Sequence, residues 1–486
     1  MESKIKTTKE KIRYGRLPFL RFRKIQDEYL LTNDWGGYVF LPAAEFNAYL
    51  SGSLDKKSAF YGPLAENNFI KEEMDMDAAI RKYGTRKNFV FGGPALHIIV
   101  VTLRCNHRCV YCHASARNLE AKETDMTVET ARSVVERIFD TTSPRVIIEF
   151  QGGEPTLNWP VIESVIAEAR KLNKERGKQL EFRLISNFSL ITEDKYRFLI
   201  DNSVELCTSL DGPKELHERN RPQIDGRGCH ANVLKWIKRL NKDYPEIRKK
   251  GYIWKMGAIV VISRFSLPMY REIVDEYVKA GFSSMFLRPL NPFGFSREVW
   301  DKIKYTDLEF IDFYKKSLDH IIDINLKGTL FVEKLAKTFL AKILTDNDPN
   351  MMDIRSPCGA GLGQLAYNHN GDVYTCDEGR MMSMMGDESF KIGNVRENTY
   401  EEIVTHPITR TLCAASCLEG LAGCSDCAYL PYCGTCPIYN YFEQGNIFGQ
   451  MPNNERCRIN MAILDYLFEK MRDEKVRKVF ENWLDK

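Results

Sequence analysis

Residues 96–112 read LHIIVVTLRCNHRCVYC, an apolar run followed directly by three cysteines. The run from Leu96 to Leu103 is rich in Ile and Val, which favours a strand buried on both faces. Cys105, Cys109 and Cys112 share one short loop with no fourth cysteine nearby, so three thiolates can hold one metal centre. The stretch therefore predicts a buried strand that ends at a metal centre with one open coordination position.

Five further short apolar runs have strand-like composition: Arg145–Phe150, Leu180–Ser186, Val204–Leu210, Ile253–Ile262 and Ser284–Arg288. Between them lie stretches with helical periodicity, of which residues 127–140 are the clearest, with Thr127 as N-terminal cap. The alternation of strand and helix predicts right-handed βαβ units and a parallel sheet.

Glycines and polar residues follow the ends of these predicted strands: Gly152-Gly153-Glu154-Pro155, Ser186-Asn187, Asp211-Gly212-Pro213 and Arg288-Pro289-Leu290-Asn291. In parallel sheets, open or barrelled, reactive groups collect beyond the carboxyl ends of the strands. We therefore expect these segments to meet the three-cysteine loop in one site.

Composition narrows the class of protein. The chain of 486 residues has a formal charge of +3, which predicts neither a nucleic-acid nor a membrane-surface partner. The N-terminal sequence MESKIKTTKEKIRYGRLPF lacks the apolar core of a signal peptide, and no run approaches the ~18 apolar residues of a transmembrane helix. We expect a cytoplasmic protein, in which 14 cysteines favour metal or redox chemistry over disulfides.

The spacing Cys105-x3-Cys109-x2-Cys112, with the aromatic Tyr111 before the last cysteine, resembles the motif of the radical S-adenosylmethionine (SAM) superfamily. The resemblance implies a 4Fe-4S cluster whose free iron binds SAM. It further implies that the glycine-rich loop contacts SAM and that a carboxylate complements the SAM ammonium group. Other SAM contacts are implied at the ribose and carboxylate. The implied SAM-binding residues are Tyr111, Gly152, Gly153, Glu154, Asn187, Ser209 and Arg221.

A structural zinc site is the alternative for the first cysteine loop, with His107 or His113 as the fourth ligand. Zinc would explain neither the glycine-rich loop nor the position of these residues at strand ends. For Gly152-Gly153 alone, a simple tight turn would be the preferred interpretation, so the combination carries the argument.

The C-terminal cysteines form a second framework, Cys358, Cys376, Cys424-x2-Cys427-x5-Cys433-x2-Cys436 and Cys457. It resembles the SPASM domain of radical SAM peptide and protein maturases, although the third gap is x2 where the usual pattern has x3. The resemblance implies two auxiliary 4Fe-4S clusters, hence three clusters in all. The outer cluster would be held by Cys424, Cys427, Cys433 and Cys457, and the inner cluster by Cys358, Cys376 and Cys436.

The inner cluster then lacks a fourth ligand, which Cys413 or Cys417 could supply, or the position could stay open for substrate. Asp377, directly after Cys376, falls where some relatives keep an acid that deprotonates substrate, so it is the candidate catalytic residue. A solvated loop carboxylate is the alternative for Asp377. A pair of zinc ribbons is the alternative for the cysteines.

The segments 103–115 and 417–437 together resemble the His-Xaa-Ser system radical SAM maturases. That resemblance implies a radical SAM oxidoreductase that modifies a ribosomally synthesised peptide, with hydrogen abstraction by a 5′-deoxyadenosyl radical followed by oxidation or cross-linking. The implied partners are a precursor peptide and an electron donor such as flavodoxin or ferredoxin, with a partner maturation protein as a further candidate.

The predicted fold class is α/β, a partial (β/α)6 barrel with additional modules. Residues 1–94 form a small α+β module with a hairpin signal at Asn33-Asp34-Trp35-Gly36, residues 95–325 the barrel, and residues 326–486 the SPASM-type domain. In related maturases a winged-helix-like module captures the precursor on a sheet edge, and the hairpin at Tyr29–Leu41 could supply that edge. The alternative is a packing cap on the barrel.

Two rival functions follow from the same residues. A sulfatase-type maturase would oxidise Cys or Ser to formylglycine. A non-enzymatic binding protein would use the cysteine-rich loops as structural zinc sites.

Overall fold

The computed structural model describes residues 17–485, so the first sixteen residues of the N-terminal module lie outside the described part. The module begins with a three-stranded antiparallel sheet in the order β1-β2-β3, followed by helices. Its elements are β1 (Arg21–Ile25), β2 (Glu28–Thr32), β3 (Tyr38–Pro42), α1 (Ala43–Ser51), α2 (Tyr61–Glu66) and α3 (Met76–Lys87). The hairpin expected at residues 29–41 is present, but β2 is the central strand, so the sheet edges belong to β1 and β3.

This module packs against the C-terminal cysteine-rich region. The Arg23 guanidinium donates two hydrogen bonds of 2.7 Å to the Asp465 carboxylate. The Thr32 hydroxyl donates to the Ala428 carbonyl at 2.7 Å, in the loop that carries Cys427. These contacts tie β1 and β2 to the C-terminal segment.

A parallel sheet forms the centre of the molecule. Its strands and helices alternate along the chain as β4 (Leu96–Thr102), α4 (Val128–Phe139), β5 (Arg145–Gly152), α5 (Trp159–Arg176), β6 (Gln179–Ile185), α6 (Glu193–Asp201), β7 (Val204–Ser209), α7 (Lys214–Asn220), α8 (His230–Lys249), β8 (Gly257–Val261), α9 (Tyr270–Ala280), β9 (Ser284–Met285), β10 (Leu287–Arg288), α10 (Trp300–Ile303), α11 (Asp307–Leu326) and β11 (Val332–Glu333). Strands β4, β5, β6, β7, β8 and β10 are neighbours in that order, and every pair is parallel. The predicted partial (β/α)6 barrel is confirmed.

Helix α4 shows why the sequence folds in this way. Its apolar residues recur at helical spacing and are buried against the sheet, with Val134 and Ile138 fully buried. The Thr127 side chain accepts a hydrogen bond from the Thr130 amide, so the predicted cap is present.

The C-terminal region continues the same sheet. Its elements are α12 (Lys334–Leu344), β12 (Gln364–Tyr367), β13 (Asp372–Tyr374), α13 (Asp377–Met384), β14 (Lys391–Asn394), α14 (Tyr400–Val404), α15 (Pro407–Ala415), α16 (Pro437–Gln444), α17 (Glu455–Lys470) and α18 (Glu474–Leu484). Strand β12 pairs in parallel with β4, and β13 and β14 follow it as antiparallel strands, which extends the sheet to nine strands. The predicted boundary between residues 325 and 326 separates elements that pack together, because α17 and α18 on its C-terminal side contact α11 on its N-terminal side.

Two predicted strands have different bounds in the structure. The run Ile253–Ile262 is a strand only from Gly257, and Ser284–Arg288 is split into β9, which pairs with β11, and β10, which pairs with β8. The apolar pattern of so short a run does not indicate that its two halves pair with different strands. Among residues 17–485, no helix is long and apolar enough to cross a membrane.

Candidate active site

One central cavity of about 1080 Å³ opens at the carboxyl ends of the barrel strands and reaches into the C-terminal region. It is lined by three sets of cysteines, each named here for its position: the loop set Cys105, Cys109 and Cys112, the inner set Cys358, Cys376 and Cys436, and the outer set Cys424, Cys427, Cys433 and Cys457. All of these cysteines are free thiols. In the described part of the chain, no three His, Cys, Asp or Glu side chains lie close enough to share a single metal ion.

The loop set follows β4 and is held by backbone hydrogen bonds on both sides. The Cys105 amide donates to Arg117 at 3.0 Å, and the Val110 amide donates to Asn220 at 2.9 Å. Burial raises the pKa of the Cys109 thiol to about 12, and the neighbouring Cys112 raises it further while Arg221 opposes the shift. Since the thiolate is the metal-binding form, a bound cation would favour ionisation of Cys109.

Gly152 and Gly153 are required by the approach of two backbones. Gly152 has φ +138°, and a Cβ there would lie 2.1 Å from the Thr102 carbonyl oxygen. A Cβ at Gly153 would lie 2.3 Å from the Arg104 carbonyl oxygen, and the Gly153 amide donates to Thr102 at 2.9 Å. Both glycines line the cavity, so the loop is packed tightly against the cysteine loop and still exposes backbone to a ligand.

Glu154, an expected SAM contact, follows the two glycines and is hydrogen-bonded to the loop after β6. Its side chain is fully buried, does not line the cavity, and accepts hydrogen bonds from Thr156, Ser186 and the Asn187 amide. Burial raises the pKa of the carboxyl, and the hydrogen bond from Thr156 opposes that shift. Both oxygens thus accept hydrogen bonds within the protein, and Glu154 holds the loops after β5 and β6 together.

The other expected SAM contacts line the cavity beside the loop set: Tyr111, Asn187, Ser209 and Arg221. The side-chain nitrogen Nδ2 of Asn187 lies 3.9 Å from the Cys105 sulfur, and Nη1 of Arg221 lies 3.8 Å from the Cys109 sulfur. Such donors stabilise negative charge on thiolate sulfurs.

Asp211, which the motif analysis did not assign to the site, organises two of these side chains. It is fully buried, accepts a hydrogen bond from the Tyr111 hydroxyl and accepts another from Arg221 Nε at 3.2 Å. Its position after β7, in the Asp-Gly-Pro segment, was the only sequence signal for this role.

The four cysteines of the outer set all line the cavity. Burial raises the pKa of the Cys424 thiol, and the three other thiols of the set raise it further, so the sulfurs lie within electrostatic reach of one another. The Asn460 amide nitrogen lies 3.7 Å from the Cys433 sulfur, and the Tyr429 amide donates to the Cys427 sulfur at 3.4 Å. Four cysteines with such donors fit a 4Fe-4S cluster.

The inner set contains three sulfurs and adjoins Asp377. Burial raises the pKa of the Cys376 thiol well above its usual value, and the charges of Glu378, Cys436 and Cys358 raise it further. The Asp377 carboxylate accepts a hydrogen bond of 2.8 Å from Arg380, a guanidinium that is almost fully buried. Asp377 is also close to His113, directly after the loop set, because its charge opposes the lowering of the His113 pKa to about 3 by burial and by Arg288. Asp377 therefore faces the same cavity as the loop set and the inner set.

Cys413 and Cys417 are not placed with the inner set. Neither lines the central cavity. Burial raises the pKa of the Cys413 thiol and Cys417 raises it further, since the two side chains lie against each other at the end of α15. The loop between them nevertheless contacts the inner set, because the Cys358 amide donates a hydrogen bond of 2.9 Å to the Ser416 hydroxyl.

Comparison with protein families supports the iron–sulfur interpretation of these sites. Residues 99–253 match the radical SAM superfamily, and residues 358–437 match the SPASM iron–sulfur cluster-binding domain. The first match contains the loop set and the glycine-rich loop. The second contains the inner set and all of the outer set except Cys457, which answers the zinc-ribbon alternative in favour of iron–sulfur clusters.

Curated relatives include enzymes that act on proteins and on a tetrapyrrole. A cysteine-type anaerobic sulfatase-maturating enzyme of Clostridium novyi strain NT is 25% identical over 338 residues, which cover 68% of this chain and 83% of the relative. The Fe-coproporphyrin III synthase of Methanosarcina barkeri strain Fusaro is 30% identical over 312 residues, which cover 63% of this chain and 72% of the relative.

The fold is shared with a solved structure of native anSMEcpe with bound AdoMet and Cp18Cys peptide. The TM-score is 0.63 at 20% identity, and the match covers 80% of this chain and 99% of that chain. The partial barrel and the C-terminal region are thus one shared architecture.

Proposed function

Because the chain belongs to the radical SAM superfamily and carries a SPASM iron–sulfur cluster-binding domain, we propose that it modifies a ribosomally synthesised peptide or protein in the cytoplasm. The observation that carries the proposal is the central cavity, which connects the loop set to the inner set and Asp377. The wall of the cavity contains both charged and apolar groups, as a peptide side chain requires.

The loop set would hold the 4Fe-4S cluster that binds SAM, and the inner and outer sets would hold two auxiliary clusters. SAM bound to the loop-set cluster would supply a 5′-deoxyadenosyl radical that abstracts a hydrogen atom from the substrate. Asn187 and Arg221 would orient the loop set, and the backbone of Gly152 and Gly153 would contact SAM. Oxidation or cross-linking of the substrate would follow.

Asp377 is the proposed catalytic base. Its carboxylate faces the cavity beside the inner set and is oriented by Arg380 at 2.8 Å. A carboxylate in this position can take a proton from the substrate while the inner set accepts an electron. A donor such as flavodoxin or ferredoxin would supply the electron for SAM cleavage, and the electron released by substrate oxidation would leave through the outer set to an oxidised acceptor. This balance corresponds to an oxidoreductase.

The substrate class we favour is the precursor of a His-Xaa-Ser system, recognised by the N-terminal module. Strand β1 is an edge strand, and its residues Phe22 and Arg23 line the central cavity. An extended precursor that pairs with this edge would enter the cavity beside the outer set. A partner maturation protein could dock on the same module.

Sulfatase maturation is the second candidate, supported by the Clostridium novyi relative. The two functions differ in substrate and not in radical chemistry. A direct test therefore uses the anaerobically reconstituted protein with SAM and a strong reductant. Two peptides are supplied as substrates, one with His-Xaa-Ser repeats and one with a sulfatase Cys or Ser motif. Mass spectrometry identifies which peptide changes mass. Formation of 5′-deoxyadenosine without a change in either peptide would contradict the assignment to peptides.

A further inference from the structure

Two side chains of helix α7 and its C-terminal cap hold Asp211. His217, within the helix, is buried, and its Nδ1 accepts a hydrogen bond of 3.2 Å from the Asp211 amide. Arg221, the C-terminal cap, donates from Nε to the Asp211 carboxylate at 3.2 Å. Because residues four positions apart lie on the same side of a helix, α7 contacts Asp211 at both its backbone and its side chain.

The position of Asp211 directly before α7 explains the contact with His217. Pro213 is the N-terminal cap of the helix. Helical side chains lean toward the N-terminus, so His217 is directed back to the residues before Pro213. A second helix also holds this segment, since the Tyr277 hydroxyl of α9 donates a hydrogen bond of 2.6 Å to the Leu210 carbonyl. The backbone at Asp211 is thus fixed from two helices.

The His217 ring accepts this hydrogen bond in its neutral form. Burial lowers the pKa of His217 well below its usual value, and the charge of Arg221 lowers it further. A neutral imidazole that accepts at Nδ1 carries its proton on Nε2, and Nε2 has no hydrogen-bonding partner among residues 17–485. In this part of the chain, the one hydrogen bond of the His217 side chain is therefore the bond from Asp211.

The position of Asp211 affects the loop set through two side chains. Its carboxylate accepts hydrogen bonds from the Tyr111 hydroxyl and from Arg221. The Arg221 guanidinium lies 5.2 Å from the centroid of the Tyr111 ring, and its Nη1 lies 3.8 Å from the Cys109 sulfur. Tyr111 and Arg221 both line the central cavity. A shift of Asp211 would therefore move two groups that adjoin the loop set.

We propose that His217 is a positioning residue for SAM binding. Its Nδ1 fixes the Asp211 backbone, and Asp211 then holds Arg221 and Tyr111 beside the loop set. This inference rests on the proposed function, because it assigns the SAM-binding cluster to the loop set. His217 does not line the cavity, so its effect on SAM is transmitted through Asp211.

The test compares the reconstituted full chain with the variants His217→Asn and His217→Gln. Oδ1 of asparagine is the same number of bonds from Cβ as Nδ1 of histidine, so it can accept from the Asp211 amide, whereas the glutamine carboxamide lies one methylene farther out. His230→Gln is the matched control. This buried ring lies 5.6 Å from that of His217 but faces Glu276 at 3.1 Å instead of Asp211.

Three measurements separate positioning from folding. Hydrogen exchange with mass spectrometry reports protection of the Asp211 amide, calorimetry reports SAM affinity, and iron analysis reports cluster content. His217→Gln should lose the amide protection and bind SAM about tenfold more weakly, with the iron content of the wild type. His217→Asn should keep the protection and an affinity within about twofold of the wild type. His230→Gln should match the wild type in SAM affinity.

Three outcomes would overturn the inference. His217→Gln could bind SAM as tightly as the wild type although the Asp211 amide has lost its protection. His217→Asn could bind SAM as weakly as His217→Gln, which would make the ring and not the acceptor important. His230→Gln could weaken SAM binding equally, which would indicate a general loosening of this part of the core.

Failure of a variant to fold is distinguishable from these results. If His217→Gln did not fold, His217→Ala, which also lacks the acceptor, would take its place against the same control. A wild-type protein that contains iron but binds no SAM would contradict the proposed function as well as the role of His217, whereas a loss confined to the variants concerns His217 alone.

Discussion

The Glu154 carboxylate accepts a 2.8 Å hydrogen bond from the backbone amide of Asn187. This contact joins the glycine-rich loop after β5 to the end of β6, and hydrogen bonds from Thr156 and Ser186 complete the arrangement. Because Asn187 also contacts Cys105 and Asn106, Glu154 fixes one side of the loop set without facing the cavity itself.

We predict that Glu154→Gln weakens SAM binding while leaving the iron content close to that of the wild type. The NH2 group of a glutamine would face hydrogen-bond donors that now donate to the Glu154 carboxylate. This mismatch costs about 1–3 kcal/mol and should displace the loop that carries Asn187. A loss of about 1.4 kcal/mol corresponds to tenfold weaker binding, measurable by calorimetry with SAM. Glu163→Gln, on the exposed face of α5, is the control. Unchanged affinity in Glu154→Gln would contradict this role.

Asp377→Asn should separate SAM cleavage from product formation. The amide keeps the shape of the side chain and its place beside Arg380 but cannot accept a proton, so modification should fall about a hundredfold to ten-thousandfold. Formation of 5′-deoxyadenosine should continue, because the loop set is unchanged. Both products are quantified by chromatography in one reaction.

The control for Asp377 is Asp140→Asn. Asp140 makes the same type of i,i+3 ion pair, with Arg137 at 2.8 Å, far from the cavity residues. Equal loss of modification in both variants, or normal modification by Asp377→Asn, would remove Asp377 from the mechanism.

The sequence predicted the barrel because its βαβ units depend on local spacing, whereas the grouping of the cysteines came from the resemblance to the SPASM domain. Apolar runs between helical segments specify βαβ units, and Cys424-x2-Cys427 places two sulfurs on one turn. Long-range pairing is different. The alignment of β12 beside β4 joins residues more than 260 positions apart, and nothing in the four residues of Gln364–Tyr367 specifies that partner.

The roles of individual carboxylates were also beyond the sequence. Glu154 was expected to face the ligand because of its residue type and motif, and its burial depends on hydrogen-bond donors contributed by the next strand. Such roles depend on tertiary packing, which a single motif does not contain.

Cys413→Ser and Cys417→Ser should leave the iron and sulfide content unchanged. These two side chains lie against each other and do not line the central cavity, so we expect neither to hold a cluster. Cys433→Ser, in the outer set, should in contrast lower the content by up to roughly four irons per chain. Loss of iron from either of the first two variants would restore the earlier expectation of a cysteine ligand.

Phe22→Ser should weaken precursor binding without affecting SAM cleavage. Phe22 is 50% exposed on edge strand β1 and lines the cavity beside the outer set. If a precursor covers this ring, its loss costs about 1.5–3 kcal/mol, which is about tenfold or more in KM. Deleting the whole module would be a poorer test, because Arg23 and Thr32 hold the C-terminal region.

The matched control is Phe91→Ser. Phe91 is 85% exposed but does not line the cavity, so its loss removes comparable surface at a site away from the proposed path. Identical KM values for Phe22→Ser and the wild type would argue that residues 1–94 serve only as a packing cap.

His97 should make the folded state sensitive to acid. It is fully buried on β4, with Nδ1 3.1 Å from the Tyr367 hydroxyl on β12, and burial lowers its pKa to about 3. Between pH 6.5 and 3 the unfolded chain binds a proton that the folded chain does not, so stability falls as the pH decreases through this window. At pH 5 the loss relative to pH 7 should be about 2 kcal/mol. The glutamine in His97→Gln cannot titrate. From pH 7 to pH 5, the free energy of unfolding of this variant should therefore fall by about 2 kcal/mol less than that of the wild type. Denaturant unfolding of both proteins at both pH values measures the difference, and because both contain the same clusters, cluster loss in acid cancels. Equal pH dependence would mean that His97 is solvated in the native protein.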